Sequence, residues 1–357
     1  MPTAQLSHTL VTDFDILING SPLSSEEETH IIDIMVDLDI AIPSMFSITL
    51  AGSSSRRDDL AWLDNEKLFS VGNTVEIRLG YYGDRLTSIF EGDLTGIEPE
   101  FAADRAPHLT LRGYDRRHRL QRGNQTRSFI KLKDSAIAST IASEVGLKAN
   151  VKDSKIIHQY LLQSNQTNLA FLQERASLIG YEVLVEGKDF FFQPMGNGSG
   201  TSLTLDFAQD ELLTFYPRLS SMNQVTDFAV QGWNVKEKKA ITTKVGNVTS
   251  KMGGLVSGVD LTKKAFGGAI ASTVDIPIFD QGEAKQIAEA QLNRTALALI
   301  TGEGSCLGRT DLKPGQVIQM QGLGKRFSGQ YYVTGVKHRL RPDQGYITTF
   351  KVQRSGV

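Results

Sequence analysis

The chain has 357 residues, with 38 Lys and Arg against 40 Asp and Glu, a formal charge of −2 and one cysteine, Cys306. That length suits two or three ordinary domains, and near-neutral charge gives no overall bias towards nucleic acid or an anionic membrane. A lone cysteine excludes an internal disulfide or a multi-thiolate zinc site, no apolar run reaches the roughly 20 residues that span a bilayer, and the N-terminus lacks the basic and apolar segments of a secretion signal.

Residues 1–126 read as strands. In IIDIMVDLDI (31–40), Ile32, Ile34, Val36, Leu38 and Ile40 alternate with Asp33, Met35, Asp37 and Asp39, which predicts a strand with one buried and one acidic, wet face. TVEIRLGY, SIFEGDLTGIEPEF and HLTLRGYDR follow between glycine-rich turns, as in an antiparallel barrel or sandwich. The run 112–127 is the most basic in the chain and reads as a connector packed against acidic neighbours or as a subunit interface, because it has little of the aromatic interleaving of a nucleic-acid surface. Residues 127–200 change period. DSAIASTIASEVG predicts a helix with Asp134 as N-cap and Gly146 as stop, and NQTNLAFLQERASLIG a second ending at Gly180. Two strands, YEVLVEG and KDFFFQP, complete a small α/β module, and MGNGSGTS (195–202) reads as a joint. Strands return over 201–357, interrupted at about 246–300 by a glycine-rich stretch read as loop and by a helix from Asp280, where Asp280 and Glu283 have capping-box spacing.

A weak internal repeat links the two ends. Gly72 precedes Val75–Arg78 at the offsets by which Gly315 precedes Ile318–Gln321; FEGDLTGI (90–97) answers FSGQYYVTGV (327–336); HLTLRGYDRR answers GYITTFKVQRS. Strand phase is kept in both copies, which predicts one β-unit used twice. Within the second copy, Gly322–Ser328 resembles a phosphate loop only superficially. Strand-period residues follow it, and Lys325 is succeeded by Arg326 rather than Ser or Thr. It reads as a β-turn region that binds no nucleotide.

No motif supplies chemistry. The six histidines form no i,i+4 pair, no nucleophile elbow occurs, Cys306 in GSCLG reads as a buried small residue, and Asp33, Asp37 and Asp39 read as a solvated strand face rather than a metal site. The expectation is a protein that is not an enzyme and carries no cofactor or metal.

The stretch LKPGQVIQMQGLGKRFSGQYYVTGVKHRLRPDQGYITTFKVQRSG, with IPSMFSITLAG (42–52) and TNLAFLQERASLIGYEVLVEGKDFFFQP, resembles the phage late control protein D family, which includes baseplate hubs of contractile tails and the N-terminal hub of VgrG-type spikes. The resemblance implies a β-rich α+β fold: two tail-tube-like antiparallel β-barrels, residues 1–126 and 201–357, around the α/β module 127–200. It also implies a homotrimer that adapts a hexameric inner tube to a trimeric spike, contacts other baseplate components, encloses a channel, and binds neither nucleic acid nor membrane stably. Such a protein is made in the bacterial cytoplasm and ends up in an assembled particle. Asp37 and Asp39 are then expected to face the channel, and Lys325 and Arg326 to meet a partner at a barrel rim. The sequence stops at Val357 without a spike-like segment, so the spike is expected in a separate chain or in a longer form of this one. The alternative is a peptidoglycan-binding or cell-wall-directed protein, since the α/β module is similar to LysM domains.

Overall fold

The computed structural model describes residues 11–52, 65–104, 106–196, 203–209, 211–234, 237–249, 252, 254, 256–274 and 277–357. The first part holds β1 (Thr12–Ile18), β2 (Ser21–Pro22), a capped turn α1 (Ser25–Glu28), β3 (Ile31–Asp39), β4 (Met45–Ala51), β5 (Thr74–Tyr81), β6 (Thr87–Glu100) and β7 (His108–Tyr114). Alternate residues of these strands, including Ile16, Ile34, Val36, Phe46, Ile48 and Ile77, fill one core. The strict alternation expected for β3 breaks at its start. A register shift between Ile31 and Asp33 turns Ile31 inward and leaves Ile32 exposed, as a β-bulge does.

The middle part holds β8 (Gln125–Leu132), α2 (Asp134–Glu144), β9 (Lys148–Val151), β10 (His158–Gln166), α3 (Asn168–Ile179), β11 (Tyr181–Glu186) and β12 (Asp189–Pro194). Ile137, Ile141, Phe171, Leu172, Phe190 and Phe192 pack the helices onto the β11–β12–β9 sheet. Thr167 caps α3 and Gly180 ends it in the left-handed region at φ 71°. Asp134 is not the cap of α2: Lys133 holds that position, and the Asp134 side chain is buried in an ion network. The ribbon β8–β10 and the parallel strand β9 escaped the sequence reading, and 197–202 of the expected joint lie outside the described residues.

The last part holds β13 (Thr204–Asp206), β14 (Thr214–Leu219), β15 (Asp227–Asn234), β16 (Lys239–Val245), α4 (Gly258–Phe266), β17 (Ile270–Thr273), α5 (Gln281–Leu297), β18 (Ile300–Leu307), β19 (Val317–Gln321), α6 (Gly324–Phe327), β20 (Gly329–Arg341) and β21 (Gly345–Arg354). The glycine-rich stretch expected to be loop contains α4, whose N-terminus is a complete capping box between Ser257 and Asp260, and β17. With β15, β16 and α5 they form an outgrowth with its own core.

The internal repeat is visible in the strand order. The first part pairs as β1–β5–β6–β7–β4–β3, and the last as β13–β19–β20–β21–β18–β14. Details coincide as well. Leu94 exchanges backbone hydrogen bonds with Gly72 (2.8 Å) and Asn73 (2.8 Å), and Val333 does so with Gly315 (2.9 Å) and Gln316 (2.8 Å). A register shift follows each, between Leu94 and Gly96 and between Val333 and Gly335. At each shift a threonine hydroxyl donates across the ladder, Thr95 to the Arg112 carbonyl and Thr334 to that of Lys351.

The two expected closed barrels are not seen as rings of strands. Among the described residues each half's pairing path is open, and β20 instead gives its edge beyond the bulge to β3, from Gly335–Asp39 to Leu340–Ile34. One 13-stranded sheet results. The β20–β21 hairpin serves both cores, with Leu340 and Tyr346 in the first and Val333, Val336, Phe350 and Val352 in the second.

His338 lies in this shared hairpin, almost fully buried, with its Nδ1 2.8 Å from the Tyr346 hydroxyl. Burial pushes its pKa down to about 4. The unfolded chain takes up this proton near the ordinary 6.5 and the folded one only near 4, so stability is full above pH 6.5 and falls between those values. The loss by pH 4 should be of the order of 3 kcal/mol. Urea unfolding between pH 7 and 4 should show this slope, and His338→Gln should flatten it.

Candidate assembly surface

The seam between β3 and β20 places acids opposite bases. Asp37 lies 3.0 Å from Lys337, and Asp33 receives Arg339 at 2.9 Å and Arg341 at 2.8 Å. Directly opposed charges of unlike sign stabilise a ladder modestly when exposed. Lys337, Arg339 and Arg341 alternate with Val336, His338 and Leu340, a signal that the period of VKHRLR carries but whose partner only the fold supplies. The wet face of β3 is therefore charge-matched rather than acidic. Asp39 acts locally, its carboxylate accepting from the backbone N–H of Ala41 (2.6 Å) and Ile42 (3.2 Å).

This polar face continues across the fused sheet. One rung runs Tyr216–Glu303–Lys351–Gly335–Asp39 and the next Thr214–Ser305–Thr349–Lys337–Asp37. Together they border a shallow groove of about 380 Å³. Lys325 and Arg326 sit elsewhere, exposed on α6, in the connection between the antiparallel strands β19 and β20. Gly322, Gly324 and Gly329 have φ of 75°, 73° and 138°, the conformations such a tight connection needs. The single helical turn was not expected.

Buried polar groups tether the α/β module. Arg117 donates to Asp115 (2.7 Å), to Ser44 (2.9 Å), to the Asp39 carbonyl (2.8 Å) and to the Val183 carbonyl of β11 (3.4 Å). Its neighbours Arg116 and Arg119 meet Glu91 and Asp93, so the basic run is a connector packed on acids. Burial raises the Asp93 pKa, but hydrogen bonds from His118 and Arg119 outweigh it and hold the carboxyl down to about 2. On the other side Tyr332 of β20 hydrogen-bonds Glu182, whose burial raises its pKa. Towards the outgrowth, His158 contacts Asp134 at 2.9 Å and Glu283 at 3.2 Å, while Arg175 holds Asp134 at 2.7 Å. Burial opposes a charge on His158, yet hydrogen bonds to Asp134 and Glu283 raise it to about 9. Two cations and two anions thus balance inside. Glu283 spends one oxygen on His158 and the other on the Phe279 N–H, so it modifies the expected capping box, while Asp280 caps α5 as anticipated.

Cys306 is fully buried and its thiol is pushed up to about 12 by burial, which leaves it unreactive. Among the described residues no group of His, Cys, Asp and Glu is placed to hold a metal, and no helix is long and apolar enough to cross a membrane.

Removing Arg117 leaves Asp115 buried beside orphaned acceptors. Arg117→Met should cost about 3–5 kcal/mol in urea unfolding, and Arg117→Met with Asp115→Asn, which removes the stranded charge but keeps an acceptor oxygen for the backbone donors at Ser44 and Arg117, should cost less than the single change.

The fold recurs in solved structures. A 43 kDa tail protein of prophage MuSo2 from Shewanella oneidensis matches with a TM-score of 0.69 at 13% identity, over 96% of this chain and 98% of that one. A tail protein from Neisseria meningitidis MC58 gives 0.68 at 13% identity, over 96% and 97%. An E. coli type VI secretion component, described as similar in structure to the phage T4 tail proteins gp27 and gp5, gives 0.61 at 14% identity, over 96% and 78%. At these identities the likeness is one of fold. No curated protein sequence matches the chain. The family described as Alg8 N-terminal domain matches residues 7–342, and the chain belongs to that family.

Proposed function

We propose that this protein is the structural hub of a contractile tail or injection apparatus, of the late control protein D type. It works as a homotrimer that joins a hexameric inner tube to a trimeric spike and encloses the channel between them. The observation that carries this reading is the doubled strand order. A chain with two equivalent sheet units presents six similar surfaces in three copies, which matches a six-fold partner, while the single outgrowth repeats three times. The fold shared with phage tail and type VI secretion proteins supports it. In this reading residues 1–126 and 201–357 are the tube-like units, and 127–200 is the spacer tethered by Arg117, Glu182 and His158. The face bearing Asp37 and Asp39 lines the channel, Lys325 and Arg326 meet a neighbouring ring, and the role is architectural rather than enzymatic.

Light scattering of the purified chain at micromolar concentration should give three times the chain mass, and negative-stain class averages should show a three-fold ring with a central opening. A monomer or a two-fold dimer would overturn the reading. Reversing charge at Lys325 and Arg326 should weaken capture of the partner ring more at low salt than at high salt, since rim charges act mainly by screened attraction.

A further inference from the structure

The fusion of the two halves leaves its counterpart open. β20 beyond its bulge gives its edge to β3. The repeat puts β6 where β20 stands and β14 where β3 stands. Beyond its bulge β6 pairs only with β7, and β14 pairs only with β18, so among the described residues no strand is paired on the second edge of either. We infer that these two edges meet between copies: Gly96–Phe101 of one copy pairs antiparallel with Phe215–Ser220 of the next. This rests on the hub reading and adds to it the strands, their sense and their register.

The register follows from the repeat alone. The matching bulges set Gly96 on Gly335 and hence Arg112 on Lys351. Tyr114 then stands for Gln353, so Met45 stands for Thr301, and Arg218 occupies the place of Asp37. The rungs between copies become Ile97–Leu219, Glu98–Arg218, Pro99–Pro217, Glu100–Tyr216 and Phe101–Phe215. Inside the chain Lys337 meets Asp37 at 3.0 Å; the corresponding rung between copies is Glu98 against Arg218, with the signs exchanged. Arg218 is exposed and has no ion pair among the described residues, while Glu98 is shared with Arg112 at 2.8 Å on the surface.

Face alternation agrees as well. Ile97, Pro99 and Phe101 fall opposite Leu219, Pro217 and Phe215, and the charged rungs lie on the other face, as a shared register requires. Phe101 is 65% exposed and Tyr216 73%, both at these open edges. Ser220 N–H donates to the Leu299 carbonyl, so Leu219, Pro217 and Phe215 turn their backbone groups to the open edge. A proline is tolerated in a strand where its missing N–H faces away from the paired neighbour. Within the chain both prolines obey this rule, but between copies Pro99 and Pro217 turn their missing donors towards each other, so that rung carries no hydrogen bond and the pairing rests on the rungs on either side, Ile97–Leu219 and Phe101–Phe215. The two edges differ, so the contact is head-to-tail, and a closed ring alternates fused seams with contacts between copies.

Glu98 and Arg218 would form a non-hydrogen-bonded pair, with Cα atoms about 4.5 Å apart and within disulfide reach. In the Glu98→Cys, Arg218→Cys protein, oxidation with diamide should give covalent dimers and closed trimers on a non-reducing gel, with buried Cys306 silent. Glu98→Cys with Leu219→Cys, one residue out of phase, should not cross-link. Glu98→Arg alone should shift trimer towards monomer in light scattering, and adding Arg218→Glu should restore it. A trimer that forms without in-register cross-linking, or that links equally well out of register, overturns the edge pairing and leaves the hub reading intact. A chain that stays monomeric and unlinked overturns both.

Discussion

The pairing of β3 with β20 is the contact on which the rest of the molecule depends. It brings residues 34–39 against 335–340, a separation whose closure entropy grows only logarithmically and is shared by a whole ladder. Without it each half would expose a long edge with unpaired N–H and C=O groups, a standing invitation to pair with the wrong chain. With it, the β20–β21 hairpin becomes common property: its tip closes the first core and its base closes the second. The cores are thereby coupled, so loosening one loosens the roof of the other.

The α/β module is held differently. Its tethers to the first half, the second half and the outgrowth are buried polar contacts at Arg117, Glu182 and His158. Buried ion networks contribute little net stability against a well-packed apolar contact, but they penalise misalignment heavily, because any displaced partner leaves a desolvated charge. They fix where the module sits rather than how strongly it adheres. Near neutral pH the balance in the His158 cluster requires a protonated imidazole, and its environment provides one.

Much of this was legible in the sequence where the information is local. Period-two runs located the long strands, and the Gly180 stop and the Asp280 cap located the ends of α3 and α5. The Gly72 and Gly315 offsets gave the repeat, because a turn that demands positive φ in both copies leaves the same residue behind. What failed was either non-local or too short. The bulge at Ile31–Asp33 reverses the phase of β3 without any proline or glycine to announce it. The short helix α4 hides among glycines, its only sign being Ser257 three residues before Asp260. Asp134 looked like a cap because it precedes an apolar period, whereas its carboxylate answers Arg175 and His158, residues that only folding brings near. The acidic face of β3 was visible, but its neutralisation by β20 was not, since a strand's period says which side is wet and nothing about which strand lies beside it.

The outgrowth between β14 and β18 takes the place of the short turn that joins β3 to β4 in the other half. The sheet therefore repeats twice along the chain while its ornament occurs once. Any closed arrangement of such chains carries two periodicities at the same time, a fine one along the sheet and a coarse one, at half the frequency, on the decorated side. In such an arrangement the sheet side and the decorated side would differ twofold in rotational order, a difference built into a single polypeptide by the one place where its two halves are not alike.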